Sequence, residues 1–143
     1  MSFTEFTKLK VLLVEDESYT RQIVRNLLRQ LGIRSIAEAA NGKEGLLELL
    51  RTRPDIVFCD IHMTPISGLE LLKQVRAVKI ADLAATPVVM LTADAGNEAV
   101  FSAKELQASG YLVKPVSLNA LKARIEAVMA AAPQLVERIA QRI

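Results

Sequence analysis

Five side chains in this sequence could do chemistry together. Glu15 and Asp16 directly follow one apolar run, and Asp60 ends another. Thr92 ends a third run, and Lys114 stands at the end of a fourth, just before Pro115. Each has an ordinary explanation alone: acidic residues cap helices, a threonine ends a strand, a lysine is solvated. The combination is what carries weight. Three carboxylates sharing one cleft repel one another and call for a cation. Hard oxygen ligands suit Mg2+ (or Mn2+), which keeps waters and takes one or two carboxylates together with phosphate oxygens. A lysine adds a fixed positive charge and a threonine adds a hydroxyl donor, so the set matches the needs of a phosphoryl group. Aspartate is a known nucleophile for forming an acyl phosphate.

For these groups to meet, the apolar runs must be parallel strands. The run Ile56, Val57, Phe58, Cys59 lies between Pro54 and the turn signals of Thr64, Pro65 and Gly68. A continuous apolar run of this length reads as a strand buried on both faces. Residues 10–15 and 87–92 read the same way, 110–115 form a further strand, and 34–38 a less apolar one nearer an edge. Helices are expected between them. In the first, Ile23, Val24, Leu27, Leu28 and Leu31 face inward, Arg21, Arg25 and Arg29 line the opposite side, and Gly32 is the stop. A turn at Asn41 and Gly42 leads to a helix over 43–51 that buries Leu46, Leu47, Leu49 and Leu50. Others cover 68–78, 96–109 with Asn97 as N-cap, and 117–132 with Ser117 as N-cap. Residues 1–8, with Phe3 and Phe6, form a lead-in, and 80–86 a connector. Strand–helix alternation at this spacing predicts an α/β fold, a doubly wound five-stranded parallel sheet with helices on both faces. Polar strand ends then share one rim, where such sheets place their chemistry.

The chain has 143 residues, 51% hydrophobic and 24% charged, with a formal net charge of +2. That length fits one domain with a real core, and that charge gives no reason to expect nucleic acid as a partner. No apolar run reaches the roughly 20 residues that span a bilayer, so membrane insertion is not expected. The first residues lack the order of a signal peptide. The single cysteine, Cys59, offers no disulfide framework and fits a small core residue. A cytoplasmic protein is the expectation.

With the acidic pair Glu15 and Asp16, the aspartate Asp60, Thr92-Ala93 and Lys114-Pro115 at these spacings, residues 8–130 resemble a response-regulator receiver domain, in particular the stand-alone chemotaxis type. The resemblance implies a flavodoxin-like strand order, 2-1-3-4-5. It implies that Asp60 is the phosphoacceptor, served by a histidine kinase or a phosphotransfer protein. It implies that Glu15, Asp16 and Asp60 hold Mg2+ together with the backbone carbonyl of His62, and that Lys114 binds the phosphoryl group. Thr92 and Tyr111 stand where the family has its switch pair, with Thr92 moving towards the phosphoryl group and Tyr111 rotating into the space it leaves. The output is then a change in the face made by the fourth helix, fifth strand and fifth helix, where Val100, Lys104 and Arg124 are the candidate contacts for a downstream target protein. The loop after Asp60 departs from the family: Thr64 stands where a proline is usual, Pro65 follows it, and Ser67-Gly68 replaces an Asp-Gly pair. His62, the only histidine, is expected to turn its ring to solvent and, with Asp94, to tune water access to the acyl phosphate.

The expected division is a receiver domain over 1–132 and an amphipathic extension over 133–143. In the extension Leu135, Ile139 and Ile143 recur at four-residue spacing beside Arg138 and Arg142. A helix this short is marginal alone, so it should dock on the domain, on a second copy, or on a partner. A homodimer would form through it or through the output face. No DNA-binding unit follows residue 132, which argues against a transcription factor. Two other classes fit less well. A phosphatase of the haloacid dehalogenase kind needs a carboxylate two residues after its nucleophile, where His62 stands. A flavin module needs a hydroxyl- and glycine-rich loop after the first strand, where Glu15, Asp16 and Glu17 would repel phosphate. The protein is therefore expected to be a phosphoacceptor switch with at most slow self-dephosphorylation rather than an enzyme.

Overall fold

Alternation inside the apolar runs decides the architecture. The computed structural model describes residues 2–94, 96 and 98–142, without the side chains of residues 3 and 4. Strands β1 (Lys10–Val14), β2 (Ser35–Ala39), β3 (Ile56–Asp60), β4 (Val88–Thr92) and β5 (Gly110–Val113) form one sheet in the order β2-β1-β3-β4-β5. Every neighbouring pair is parallel, and Phe58 of β3 lies level with Leu13 of β1 and Val89 of β4. The helices are α1 (Phe3–Phe6), α2 (Ser18–Gln30), α3 (Gly42–Thr52), α4 (Gly68–Arg76), α5 (Ala81–Ala84), α6 (Glu98–Glu105), α7 (Leu118–Ala130) and α8 (Pro133–Ala140).

Successive strand residues point to opposite faces. Val11, Leu13, Ile56, Phe58, Val89 and Leu91 pack under α2, α7 and α8. Leu12, Val14, Val57, Cys59, Val88 and Met90 pack under α3, α4, α5 and α6. All five residues of β3 are buried, since it sits mid-sheet with cover on both sides. Burying each large apolar side chain is worth about 1.5–3 kcal/mol, so this central strand is held more firmly than the edge strands β2 and β5.

Local signals set the helix ends. Asn41 accepts a hydrogen bond from the Glu44 backbone N–H at 2.9 Å, and the Glu44 carboxylate accepts in turn from the N–H of Ala40 at 3.0 Å. Ser67 and Ser117 cap α4 and α7 in the same way. Gly32, at φ 105°, ends the turn after α2 in a conformation that side chains resist. Asn97, expected as a cap, lies outside the described residues.

Several expectations need correcting. Ile23 is exposed rather than inward, and so are Leu47 and Leu50. The cause in α3 is visible: Gly42 and Gly45 press its backbone against the domain, and a Cβ on Gly45 would lie 3.1 Å from Val14 and Leu71 side-chain atoms. Close approach narrows the buried stripe to Gly42, Gly45 and Leu49, with Leu46 half-buried. On the opposite side of α2, Arg21 and Arg25 pair with Glu38 near the end of β2, at 3.5 and 3.1 Å. The lead-in folds as α1 and buries Phe6 in the core, and the connector folds as α5 and buries Leu83.

The extension packs on its own chain. Pro133 opens α8, and Leu135 and Ile139 are buried against the α2–α7 side of the core. Ile143 lies outside the described residues. Arg142 closes the tail on Asp55, a fully buried carboxylate at the start of β3, with contacts of 2.5 and 2.8 Å. Asp55 also accepts from the Lys10 backbone N–H at 2.8 Å, and Arg138 lies 3.7 Å away. Leu135 and Ile139, the described residues of the stripe that would serve a tail-mediated dimer, are thus packed in the chain's own core. No described helix is long and apolar enough to cross a membrane.

Candidate functional site

Strand order opens the cleft. The chain leaves β1 for α2 on one face of the sheet and leaves the adjacent β3 for α4 on the other, so a gap opens between the two strand ends. Glu15 and Asp16 follow β1 and Asp60 ends β3, so all three carboxylates border it. One oxygen from each lies within 4.8 Å of the others. Glu15 is fully buried, Asp60 nearly so, and Asp16 is exposed. Lys114 arrives from the end of β5, where its backbone N–H donates to the Thr92 carbonyl at 2.7 Å and its peptide bond to Pro115 is cis. Its ammonium lies 2.7 Å from Glu15 Oε1 and 3.3 Å from Asp60 Oδ1.

One lysine does not balance three carboxylates. The Glu15 carboxyl is pushed up to about 7, first by burial and then by its hydrogen bond with Asp60, against the pull of Lys114. Burial works against the charged form of Lys114, yet the Glu15 and Asp60 carboxylates outweigh it and hold the ammonium above its usual range. Burial is the larger cause and the Asp60 carboxylate adds to it, so a cation in the cluster would favour the ionised form of Glu15. The donors are all hard oxygens, so the residues present fit Mg2+ or Mn2+.

Neighbours hold the site in place. Arg21 donates from Nη1 to the Glu15 carbonyl at 2.7 Å, tying the strand end to α2. The His62 backbone N–H donates to Asp60 Oδ1 at 3.2 Å, while its ring side is exposed as expected. The 62–67 loop carries a cis bond between Thr64 and Pro65 and closes where the Gly68 N–H donates to the Ile61 carbonyl at 2.8 Å. A Cβ at Gly68 would overlap the Asp60 carbonyl oxygen and come within 2.9 Å of its carbon. Gly68→Ala must therefore shift the backbone that carries Asp60. The expected cost is about 1–3 kcal/mol in a urea midpoint, together with weaker Mg2+ binding. An unchanged Mg2+ titration would mean that the loop relaxes without moving Asp60.

Thr92 reaches the same rim but is engaged elsewhere. Its buried hydroxyl donates to the Asp94 carbonyl at 3.1 Å and accepts from the Asp94 N–H at 3.2 Å. Tyr111, on β5, stands 39% exposed. It lines a cavity of about 300 Å3 with Val100, Lys104 and Arg124, so the expected switch tyrosine and the three candidates for the output face lie together. Val100 and Arg124 are half-buried there and Lys104 is exposed. Phe101, on α6, is 65% exposed and was not among the residues singled out from the sequence. Sequence reasoning also missed Arg21 as a tie, Ser67 as a cap and Asp55 as the partner of Arg142. The cap had a readable signal, a serine three residues before Glu70; the two arginine contacts had none.

Comparison with known proteins agrees with this geometry. Residues 11–126 match the family model described as the response regulator receiver domain. The chain is 38% identical over 120 residues to chemotaxis protein CheY-3 of Vibrio cholerae, covering 84% of this chain and 91% of that protein. It is equally similar, over 84% of its length, to chemotaxis protein CheY of Pseudomonas aeruginosa, covering 95% of that protein. Among solved structures it resembles the chemotaxis response regulator CheY4 of Vibrio cholerae, with a TM-score of 0.75, 32% identity, and coverage of 84% of this chain and 98% of that one.

Proposed function

The chain belongs to the response regulator receiver domain family, and from that membership we propose that it takes a phosphoryl group on Asp60 and signals by reshaping the α6–β5–α7 face. The observation that carries this reading is the Lys114 ammonium held between Glu15 and Asp60 beside an exposed Asp16. That arrangement has room for charge on the open side and fixed charge on the closed side.

In the proposed transfer, an Asp60 carboxylate oxygen attacks the phosphorus of a phosphohistidine on a kinase or phosphotransfer protein. A P–O bond forms and the P–N bond breaks. Its electron pair returns to the imidazole of the donor, which keeps it as a ring lone pair. Glu15, Asp16, Asp60 and the His62 carbonyl would hold Mg2+, which supplies neutralising charge for the phosphoryl oxygens. Lys114 exchanges Asp60 Oδ1 for a phosphoryl oxygen, a short step because it already sits at 3.3 Å. Thr92 gives up the Asp94 carbonyl and donates to another phosphoryl oxygen. Tyr111 then turns inward, and Val100, Lys104 and Arg124 present a changed surface to a target protein. The names of the relatives favour chemotaxis as the pathway. A second copy of the chain is an alternative occupant of the same face. A cytoplasmic location goes with this reading, as does a receiver unit over 1–132 with 133–143 appended to it.

Wild-type protein treated with a small phosphodonor and Mg2+ should gain the mass of one phosphoryl group, and peptide mapping should place it on Asp60. Modification elsewhere would defeat the reading. Lys114→Ala should stay folded, because Glu15 already accepts a proton near neutrality, but it should lose the activated surface. Tyrosine fluorescence on adding beryllofluoride and Mg2+, measured in a Tyr19→Phe background so that Tyr111 is the remaining tyrosine, reads this. A wild-type response in the variant would remove Lys114 from the mechanism.

A further inference from the structure

At the opposite pole of the sheet lies a larger cavity, about 620 Å3 in volume, between α8, the turn before β3 and the α5 segment. It is far from the carboxylate cluster, because it borders the starts of β1, β3 and β4 rather than their ends. Lys10, Arg53, Arg138 and Arg142 line it, and Asp82 is the acidic residue of the lining. Arg142 is neutralised by Asp55, and Arg138 approaches the same carboxylate at 3.7 Å. Lys10 and Arg53 have no carboxylate partner among the described residues. Four cations against Asp55 and Asp82 leave two positive charges here, as large as the formal net charge of the whole chain. The rest of the described surface is close to balanced, so the surplus is concentrated on this pole.

The walls are different in kind. Pro54, Leu83, Pro87 and Leu135 give aliphatic surface, and no aromatic ring lines the space. The volume is in the range of small-molecule sites, which are mostly apolar with a few placed polar groups. Guanidinium groups match the planar fork of a carboxylate or the oxygens of a phosphate. We propose that this cavity binds a small organic anion, with a phosphate or carboxylate head held by Lys10, Arg53 and Arg138 and an aliphatic body against Leu83 and Leu135. A nucleobase would lack a stacking partner, which favours the aliphatic body. Because Arg138 sits on α8 while Lys10 and Arg53 sit on the sheet side, a bound anion would also bridge the tail to the domain. Protein with ligand should therefore melt at a higher temperature.

Hexyl phosphate, hexanoate and inorganic phosphate are the probes, titrated calorimetrically into the full chain and into the double variant Lys10→Gln, Arg53→Gln. Both substitutions fall on exposed side chains away from the acceptor site. Saturable binding of hexyl phosphate or hexanoate is expected, about tenfold tighter than inorganic phosphate and about tenfold weaker in the double variant. Whichever organic probe binds better identifies the head group. Equal affinity in the double variant overturns the proposal. So does equal affinity for inorganic phosphate, which would mean a patch that attracts ions without using the walls. Tighter binding of an acidic peptide that the same substitutions abolish would reassign the pole to a protein partner and overturn the small-molecule assignment. The beryllofluoride response of the double variant should match wild type, so failure here is separable from failure of the Asp60 reading.

Discussion

Asp60→Asn is expected to reduce phosphoryl uptake by about three orders of magnitude or more, as loss of a nucleophile does elsewhere. The amide oxygen keeps an acceptor for the His62 N–H, so the loop has no reason to move. The substitution removes one of the charges that raise the Glu15 carboxyl, so the metal-free cluster becomes less repulsive and the fold should not weaken. The two effects make a clean signature: no mass gain from a phosphodonor with Mg2+, and a urea midpoint at or above that of wild type. Modification equal to wild type would show that the acceptor is another residue. Loss of uptake with a collapsed midpoint would trace the loss to misfolding, and the position of the added mass in the wild-type peptide map would then decide the acceptor.

Arg142→Ala is expected to have the largest effect on stability. Asp55 has no solvent contact, and Arg142 supplies two of its hydrogen bonds and its main counter-charge. Removing one partner of a buried pair strands the other, at a typical cost of about 3–5 kcal/mol. Arg142 keeps some exposure and Arg138 stands nearby, so the lower end, about 3 kcal/mol, is the expectation. A urea midpoint measured with an unchanged slope reads it. The double variant Asp55→Asn, Arg142→Ala should be less destabilised than the two single costs added together. A loss below about 0.5 kcal/mol, the range of ordinary surface changes, would show that the tail is not clasped in solution.

What the sequence disclosed follows the range of the interactions. β1, β3 and β4 were readable because burial on both faces makes each strand apolar throughout. Their polar ends were readable because Glu15, Asp60 and Thr92 interrupt those runs. Parallel topology then brought Lys114 to Glu15, ninety-nine positions away, without any local signal. The errors lie where tertiary packing chooses among similar residues. Leu47 and Leu49 look alike in the chain, but Gly45 lets α3 approach so closely that the second is buried and the first is not. The Arg142–Asp55 clasp spans eighty-seven positions, and Asp55 beside Pro54 read as a strand start. Thr92 was readable as a site residue but not as one bonded to Asp94.

Burial of Cys59 gives the protein an internal clock. The chain has one thiol, next to Asp60, with no solvent contact, and burial pushes it well above its ordinary ionisation range. In the folded chain it should neither ionise readily nor meet a maleimide reagent. Labelling must wait until β3 separates from its neighbours, so its rate counts openings of the central strand. Anything that binds only the closed chain slows that rate by mass action. A single unmodified cysteine can thus time the occupancy of both poles of the molecule without an added probe.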